Sequence, residues 1–173
     1  MKMKKTRGII YLQLILSTFF LTVLDQWTKH LAVMHLQNQS DISLIDGVLS
    51  LHYLENRGAA FGVFQNRQGA FFVLTVVILA FILYVLWRMP VTKKYLPVRI
   101  LCFFLTSGTL GNLIDRIRLK YVIDFIYFSL IDFPVFNIAD IYVVCGGIAL
   151  VLLVIFKYKD EDFDFLYRNK KDK

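Results

Sequence analysis

Charged side chains are scarce in this 173-residue chain, at 19%, while apolar residues fill 57% of it; an ordinary soluble domain carries about 25% charge. With a mean hydropathy of +0.58, that balance excludes a disordered or nucleic-acid-binding tail and points to a membrane protein. Cysteine is scarcer still. Cys102 and Cys145 lie within apolar runs without CxxC spacing, and read as small core hydrophobes rather than as a disulfide or metal pair. The three histidines include no HExxH motif, and His30 and His35, five apart, miss the i, i+4 face of a helical zinc pair. No small-x-small site precedes Asp25, so the basic and apolar N-terminal segment reads as a retained helix rather than a cleaved signal. Without an internal repeat, low-complexity tract or linker, residues 1–173 read as a single membrane domain.

The excess hydrophobicity lies in four uncharged stretches, 8–24, 69–87, 100–114 and 141–156. Two of them fall short of the roughly 17 residues that span a bilayer, but a helix continues past a charge that snorkels or faces protein. The expected architecture is an all-α membrane protein with four spans near 8–27, 69–88, 98–116 and 139–157, and outer segments near 28–68 and 117–138. If the N-terminus is cytoplasmic, the inner segments carry net +9 and the outer segments net −2, which together give the formal charge of +7. The positive-inside rule then puts both termini in the cytoplasm. The basic excess answers to anionic membrane lipids, and no nucleic-acid partner is needed. The tail after Phe156 reads as a solvated end.

The longer connections face outward. In 43–54, Asp46-Gly47 between apolar runs signals a hairpin. The aromatic, β-branched run 121–128 fits a strand or an interfacial segment. A small extracytoplasmic β-containing elaboration is therefore expected over the outer face. Gly108, Gly111, Cys145, Gly146, Gly147 and Ala149 are small residues that would let the third and fourth spans approach closely.

Acids gather where charge is otherwise rare. By the parity of the spans, Asp25, Asp115 and Asp140 fall at one membrane depth, and Asp124 lies on the same side among Val122, Ile123, Phe125 and Ile126. Carboxylates near hydrocarbon are costly unless paired. Asp25 precedes Lys29 by four residues, the favourable order for an ion pair on one helix face, and Asn112, Asp115 and Arg116 share a face in the same way. Asp124 and Asp140 are less compensated: Asp140 has Asn137 one turn before it, and Asp124 has Lys120 four residues back in a run that need not be helical. Two such carboxylates in a greasy site invite a coupled pair sharing a proton. One would polarise a peptide carbonyl while the other takes a proton from the attacking water, with no metal or covalent intermediate. Sixteen residues of separation do not by themselves bring the two together.

Five motifs occur in order: Asp25-Gln26-Trp27-Thr28-Lys29, Asn56-Arg57-Gly58-Ala59-Ala60-Phe61-Gly62, Gly111-Asn112-Leu113-Ile114-Asp115-Arg116, Val122-Ile123-Asp124-Phe125 and Phe136-Asn137-Ile138-Ala139-Asp140. Together they resemble the lipoprotein signal peptidases (type II signal peptidases) of bacteria, across all four expected spans. The resemblance implies an aspartic endopeptidase of the cytoplasmic membrane, without a cofactor. Such enzymes remove the signal peptide of prolipoproteins just before a cysteine that carries diacylglycerol. It further implies Asp124 and Asp140 as the catalytic dyad, Asn112 and Asn137 as groups orienting dyad and substrate, and Arg116 with Asp115 as support. Asp25 with Lys29 would brace the first helix, and Asn56 with residues 58–61 would belong to an outer substrate-contacting region. Prolipoproteins, membrane lipids and globomycin-type inhibitors are the implied partners, and a monomer is expected to suffice. One departure is Lys120, where the family commonly has glycine two residues before its Val-x-Asp-Phe motif; it leaves the loop before Asp124 open.

Other readings of the same residues remain. Trp27, Tyr53, Phe61 and Phe64 fit an interfacial aromatic belt as well as a hold on a lipidated substrate, and Gly58 fits a turn beside a bound chain or an ordinary loop. A proton or ion transporter would also use membrane acids, but needs polar groups along its whole path. An inert scaffold would pair every acid structurally. A Ser–Lys peptidase on Lys29 would draw on Ser40, Ser43 or Ser50, none of which has a recognisable nucleophile setting.

Overall fold

The computed structural model describes residues 2–58 and 68–167, so the expectations attached to Ala59, Ala60, Phe61 and Phe64 lie outside the described residues. In chain order the elements are α1 (Lys2–Leu36), β1 (Ile42–Ile45), β2 (Leu49–Asn56), α2 (Gln68–Arg88), α3 (Leu96–Leu119), β3 (Val122–Tyr127), α4 (Ile138–Lys157) and the short α5 (Asp164–Tyr167). Among the described residues three helical stretches are long and apolar enough to cross a membrane, Arg7–Leu36, Lys93–Leu119 and Ile138–Lys157, and α2 is apolar over the shorter Phe72–Arg88. Helix α3 is central and packs against α1, α2 and α4.

The first helix does not stop near residue 27 but runs on to Leu36. Asp25, Lys29, Ala32 and Leu36 recur at helical spacing and are all buried. The first two form an ion pair across one turn, Nζ to Oδ2 at 2.9 Å, and the last two pack under the sheet with Ile123 and Phe125. Charge that would end a span facing lipid is tolerated here because it faces protein.

The hairpin expected at Asp46-Gly47 joins β1 to β2, with Gly47 at φ 70°, a conformation glycine adopts without steric cost. The run beginning at Tyr121 contributes β3, antiparallel to β2, giving a sheet of order β1-β2-β3. Lys120 occupies the left-handed position at the end of α3, at φ 68°, and turns the chain into β3. Beyond β3, Phe136 exchanges backbone hydrogen bonds with Ile126 at 2.9 and 3.0 Å, which holds the start of α4 against the strand.

At the opposite end of the bundle Ile10, Leu14, Ile82, Leu86, Met89, Tyr95, Val98, Cys102, Phe103 and Tyr158 form a second apolar core. The chain after Phe156 is not a free solvated end over its described part. Tyr158 stacks on Tyr95 with centroids 5.8 Å apart. The Arg88 Nε donates to the Phe165 carbonyl at 2.8 Å, and the Tyr84 hydroxyl to that of Leu166 at 3.0 Å. Asp162 accepts from the Lys94 ammonium. Aromatic burial outweighs the charge that made this segment look solvated.

Two small-residue readings need correction. Gly108 and Gly111 are places of close approach: a Cβ on Gly108 would meet the Ala139 carbonyl and, at 2.8 Å, Val143, and one on Gly111 would strike the Asp25 carboxylate. Gly147 has nothing within 4 Å of such a Cβ, and Cys145 is exposed on the outside of α4 rather than in a core. Cys102 is buried as expected.

Candidate active site

Asp124 lies on β3 and is 1% exposed. Its register partner on β2 is Leu54, so Asn56, two residues on, stands diagonally across the same face of the pair. The Asn56 Nδ2 donates to Asp124 Oδ2 at 2.8 Å, while Asn56 Oδ1 accepts from the Gly58 amide at 3.0 Å. On the other side of the carboxylate, Asn137 Nδ2 donates to Asp124 Oδ1 at 2.6 Å.

Asn137 also caps α4. Its Oδ1 accepts from the Asp140 amide at 3.0 Å, and its own amide donates to Asp140 Oδ2 at 3.1 Å, a reciprocal capping box that fixes the Asp140 carboxylate at the first turn. The remaining Asp140 oxygen accepts from Asn112 Nδ2 of α3 at 2.7 Å. Asn112 Oδ1 in turn accepts from Asn137 Nδ2 at 3.1 Å. Asp124 and Asp140 are thus held in one network, bridged by two asparagine amides. Asn137 is fully buried, whereas Asp140 is half-buried.

Behind the pair, one buried ammonium is shared by two carboxylates. The Lys29 ammonium, 1% exposed, donates at 2.9 Å to each of three acceptors: Asp25 Oδ2, Asp115 Oδ2 and Asn112 Oδ1. Its three hydrogens are therefore used. Asp25 Oδ1 accepts from the Ala139 amide at 2.9 Å, so the α1 carboxylate faces the positive end of α4. Asp115 Oδ2 also accepts from the Ile123 amide at 3.3 Å and ties α3 to β3. Asp115 thus pairs with Lys29 from α1, while the Arg116 Nη1 on its own helix donates to the Asn112 carbonyl at 3.4 Å.

Burial, and then the negative charge of Asp140, push the Asp124 carboxyl up to about 7; the amides of Asn56 and Asn137 and the Lys29 charge pull the other way. Such a pair retains a proton near neutrality, and two carboxylates sharing one proton serve as acid and base at once. Among the described residues no group of His, Cys, Asp and Glu is arranged to hold a metal ion.

Every site residue expected from sequence among those described falls in or beside this network. Gln26, to which the sequence assigns no role, joins the network: its Nε2 donates to Asp115 Oδ1 at 2.8 Å and to the Gly111 carbonyl at 3.2 Å. No spacing rule singles out an amide next to an acid on the same helix. Asn56, expected in an outer substrate-contacting region, is in direct contact with Asp124, because the register of β2 on β3 decides which residues face each other.

The profile of the signal peptidase (SPase) II family matches residues 17–156, which includes all these acids. The chain belongs to that family. As a member of the signal peptidase II family it is a membrane peptidase, in keeping with its apolar helices. The lipoprotein signal peptidases of Streptococcus pyogenes serotype M5 (strain Manfredo) and serotype M3 (strain SSI-1) are 40% and 39% identical to it over 149 residues, covering 86% of this chain and 95% of each relative. A solved structure described as a bacterial membrane enzyme at 2.3 Å resolution is similar with a TM-score of 0.73 at 29% identity, over 86% of this chain and 92% of that one. A second, at 1.9 Å, gives a TM-score of 0.72 over 84% of this chain.

Proposed function

We propose that this signal peptidase II cleaves the signal peptide from prolipoproteins just before a diacylglyceryl-modified cysteine, with Asp124 and Asp140 as the catalytic dyad. The observation that carries this reading is Asn137, whose side chain bonds Asp124 at 2.6 Å while capping the helix turn that bears Asp140. The pair holds one proton between them. Its protonated member polarises the scissile carbonyl, the ionised member takes a proton from water, and the proton later passes to the leaving amine. Asn56, Asn112 and Asn137 position the carboxylates. Lys29, Asp25 and Asp115 anchor α1, α3, α4 and β3 around them, and Arg116 supports α3 beside Asn112.

The whole chain acts as one peptidase domain, with α2 as a fourth span, both termini in the cytoplasm and the dyad at the outer face. A monomer suffices for this scheme. Globomycin-type inhibitors compete with substrate at the dyad. No cofactor enters the scheme.

The test is cleavage of a diacylglyceryl-modified prolipoprotein by purified wild type, Asp124→Asn and Asp140→Asn protein, read as a mobility shift. Both variants are expected to lose at least about 10²-fold in rate, the usual contribution of a positioned acid or base, while unfolding at temperatures close to wild type. A folded Asp124→Asn protein that cleaves at the wild-type rate would make Asp124 structural and end the dyad mechanism.

A further inference from the structure

Three asparagine side chains donate to the dyad, and each is turned by a group that can only donate. Asn56 Oδ1 is held by the Gly58 amide and Asn137 Oδ1 by the Asp140 amide, which leaves both Nδ2 atoms to face Asp124. Those two clamps are backbone N–H groups. The clamp on Asn112 is a side chain: Lys29 Nζ donates to its Oδ1 at 2.9 Å, and its Nδ2 meets Asp140 Oδ1 at 2.7 Å. An ammonium has three hydrogens and no lone pair, so the Asn112 atom against it must be oxygen and the atom against Asp140 must be nitrogen.

Asn137 Nδ2 also donates to Asn112 Oδ1, at 3.1 Å, but gives its shorter bond, 2.6 Å, to Asp124. The bond from Lys29 is charge-assisted and is the stronger hold. It also draws electron density toward Oδ1, which makes the Nδ2 hydrogens better donors to Asp140.

The setting of Asp140 suits a carboxylate. Its other oxygen accepts from the Asn137 amide at the first turn of α4, where the helix dipole favours negative charge. Asp140 is half-buried and open to an attacking water, whereas Asp124 is closed in. Among the described residues the charges that face Asp140 are Asp124 on β3, Lys29 and Asp25 on α1, and Arg116 on α3.

Resting on the dyad reading above, we propose that Lys29 is a positioning residue of the reaction: by fixing the Asn112 amide it makes Asp140 the ionised member of the pair, which takes the proton from water, and leaves the shared proton on Asp124. Two hydrogens of the ammonium go to Asp25 and Asp115, and the third acts on the dyad.

The test is the pH profile of kcat/KM for a diacylglyceryl-modified prolipoprotein in wild type, Asn112→Ala, Lys29→Met and the double variant, with unfolding temperatures measured alongside. The acid limb reports protonation of the ionised member in the free enzyme. Asn112→Ala is expected to move that limb about one unit to higher pH, the size of one hydrogen bond to a charged group. Lys29→Met moves it the same way, and adds less than half as much in the Asn112→Ala background. A shift at least half as large there means that the lysine charge acts through space, and overturns the proposal. Should Lys29→Met fail to fold, Lys29→Met combined with Asp115→Asn is read in its place; it removes a cation with its partner and leaves the net charge of the cluster unchanged. An inactive Asp140→Asn protein together with an acid limb that Asn112→Ala leaves in place overturns this assignment alone. Cleavage by folded Asp140→Asn at the wild-type rate overturns the dyad mechanism as well.

Discussion

Asn56 donates a hydrogen bond to a carboxylate that burial holds near the middle of the pH scale, so its removal has a direction that can be read from rates. Its amide favours the ionised form of Asp124, and without it the proton is held to higher pH. If the active dyad is the singly protonated one, activity of wild type falls as the pH rises through about 7 and the pair loses its remaining proton. In Asn56→Ala protein that alkaline limb is expected to move to higher pH while the maximal rate drops; an unmoved or acid-shifted limb in a kcat/KM profile would contradict the assignment. Lys29 offers a stability test of the same network. Replacing it by methionine keeps the length of the side chain but leaves Asp25 and Asp115 buried without their cation. Breaking a buried pair by removing one partner costs about 3–5 kcal/mol, so Lys29→Met should lower the unfolding temperature in detergent by several degrees or prevent folding. A variant as stable as wild type would mean that water reaches the cluster.

At the scale of elements, the link from α3 to β3 sets the position of Asp124. Three residues separate the left-handed Lys120 from the catalytic candidate, and the turn is pinned at its far side by the Asp115 carboxylate on the Ile123 amide. A non-glycine residue at φ 68° carries a penalty of about 1 kcal/mol that glycine avoids. Among the described residues the Lys120 ammonium reaches only the Ile117 carbonyl, at 3.3 Å in an exposed position. Lys120→Gly is therefore expected to raise the unfolding temperature by about 2–4 °C, the size that 1 kcal/mol has in a chain of this length. A lower melting temperature would show that the lysine side chain matters more than its backbone. Lys120 thus closes the turn in a left-handed conformation at the expense of that energy. The same turn illustrates what a sequence conceals: the residues 121–128 fit a strand or an interfacial segment equally well until β2 supplies a partner for their backbone.

For the whole molecule, the distribution of charge between the two ends of the bundle predicts an orientation. With Cys102 and Cys145 replaced by alanine, Ser40→Cys and Asp160→Cys proteins should differ in intact cells: a membrane-impermeant maleimide labels position 40, outside, and leaves position 160, inside, unlabelled until the cells are opened. Labelling of both from outside, or of 160 alone, refutes the proposed topology. Apolar run lengths, the hairpin at Asp46-Gly47, the pairing of Asp25 with Lys29 and the crowding of acids at one membrane depth were all legible in the sequence. Each depends on spacing within one element or on the parity of spans. The extension of α1 to Leu36, the docking of the chain after Phe156 and the pairing of Asp115 with Lys29 were not, because each is decided by a surface that another part of the chain provides. Ordered motifs pointed to the family and to Asp124 and Asp140. Only tertiary structure brought the two acids into one network, since the contact between β3 and the start of α4 runs through the register of Ile126 on Phe136 and the cap formed by Asn137. Local periodicity fixes which face of an element is buried, but the meeting of two faces is a property of the packed molecule.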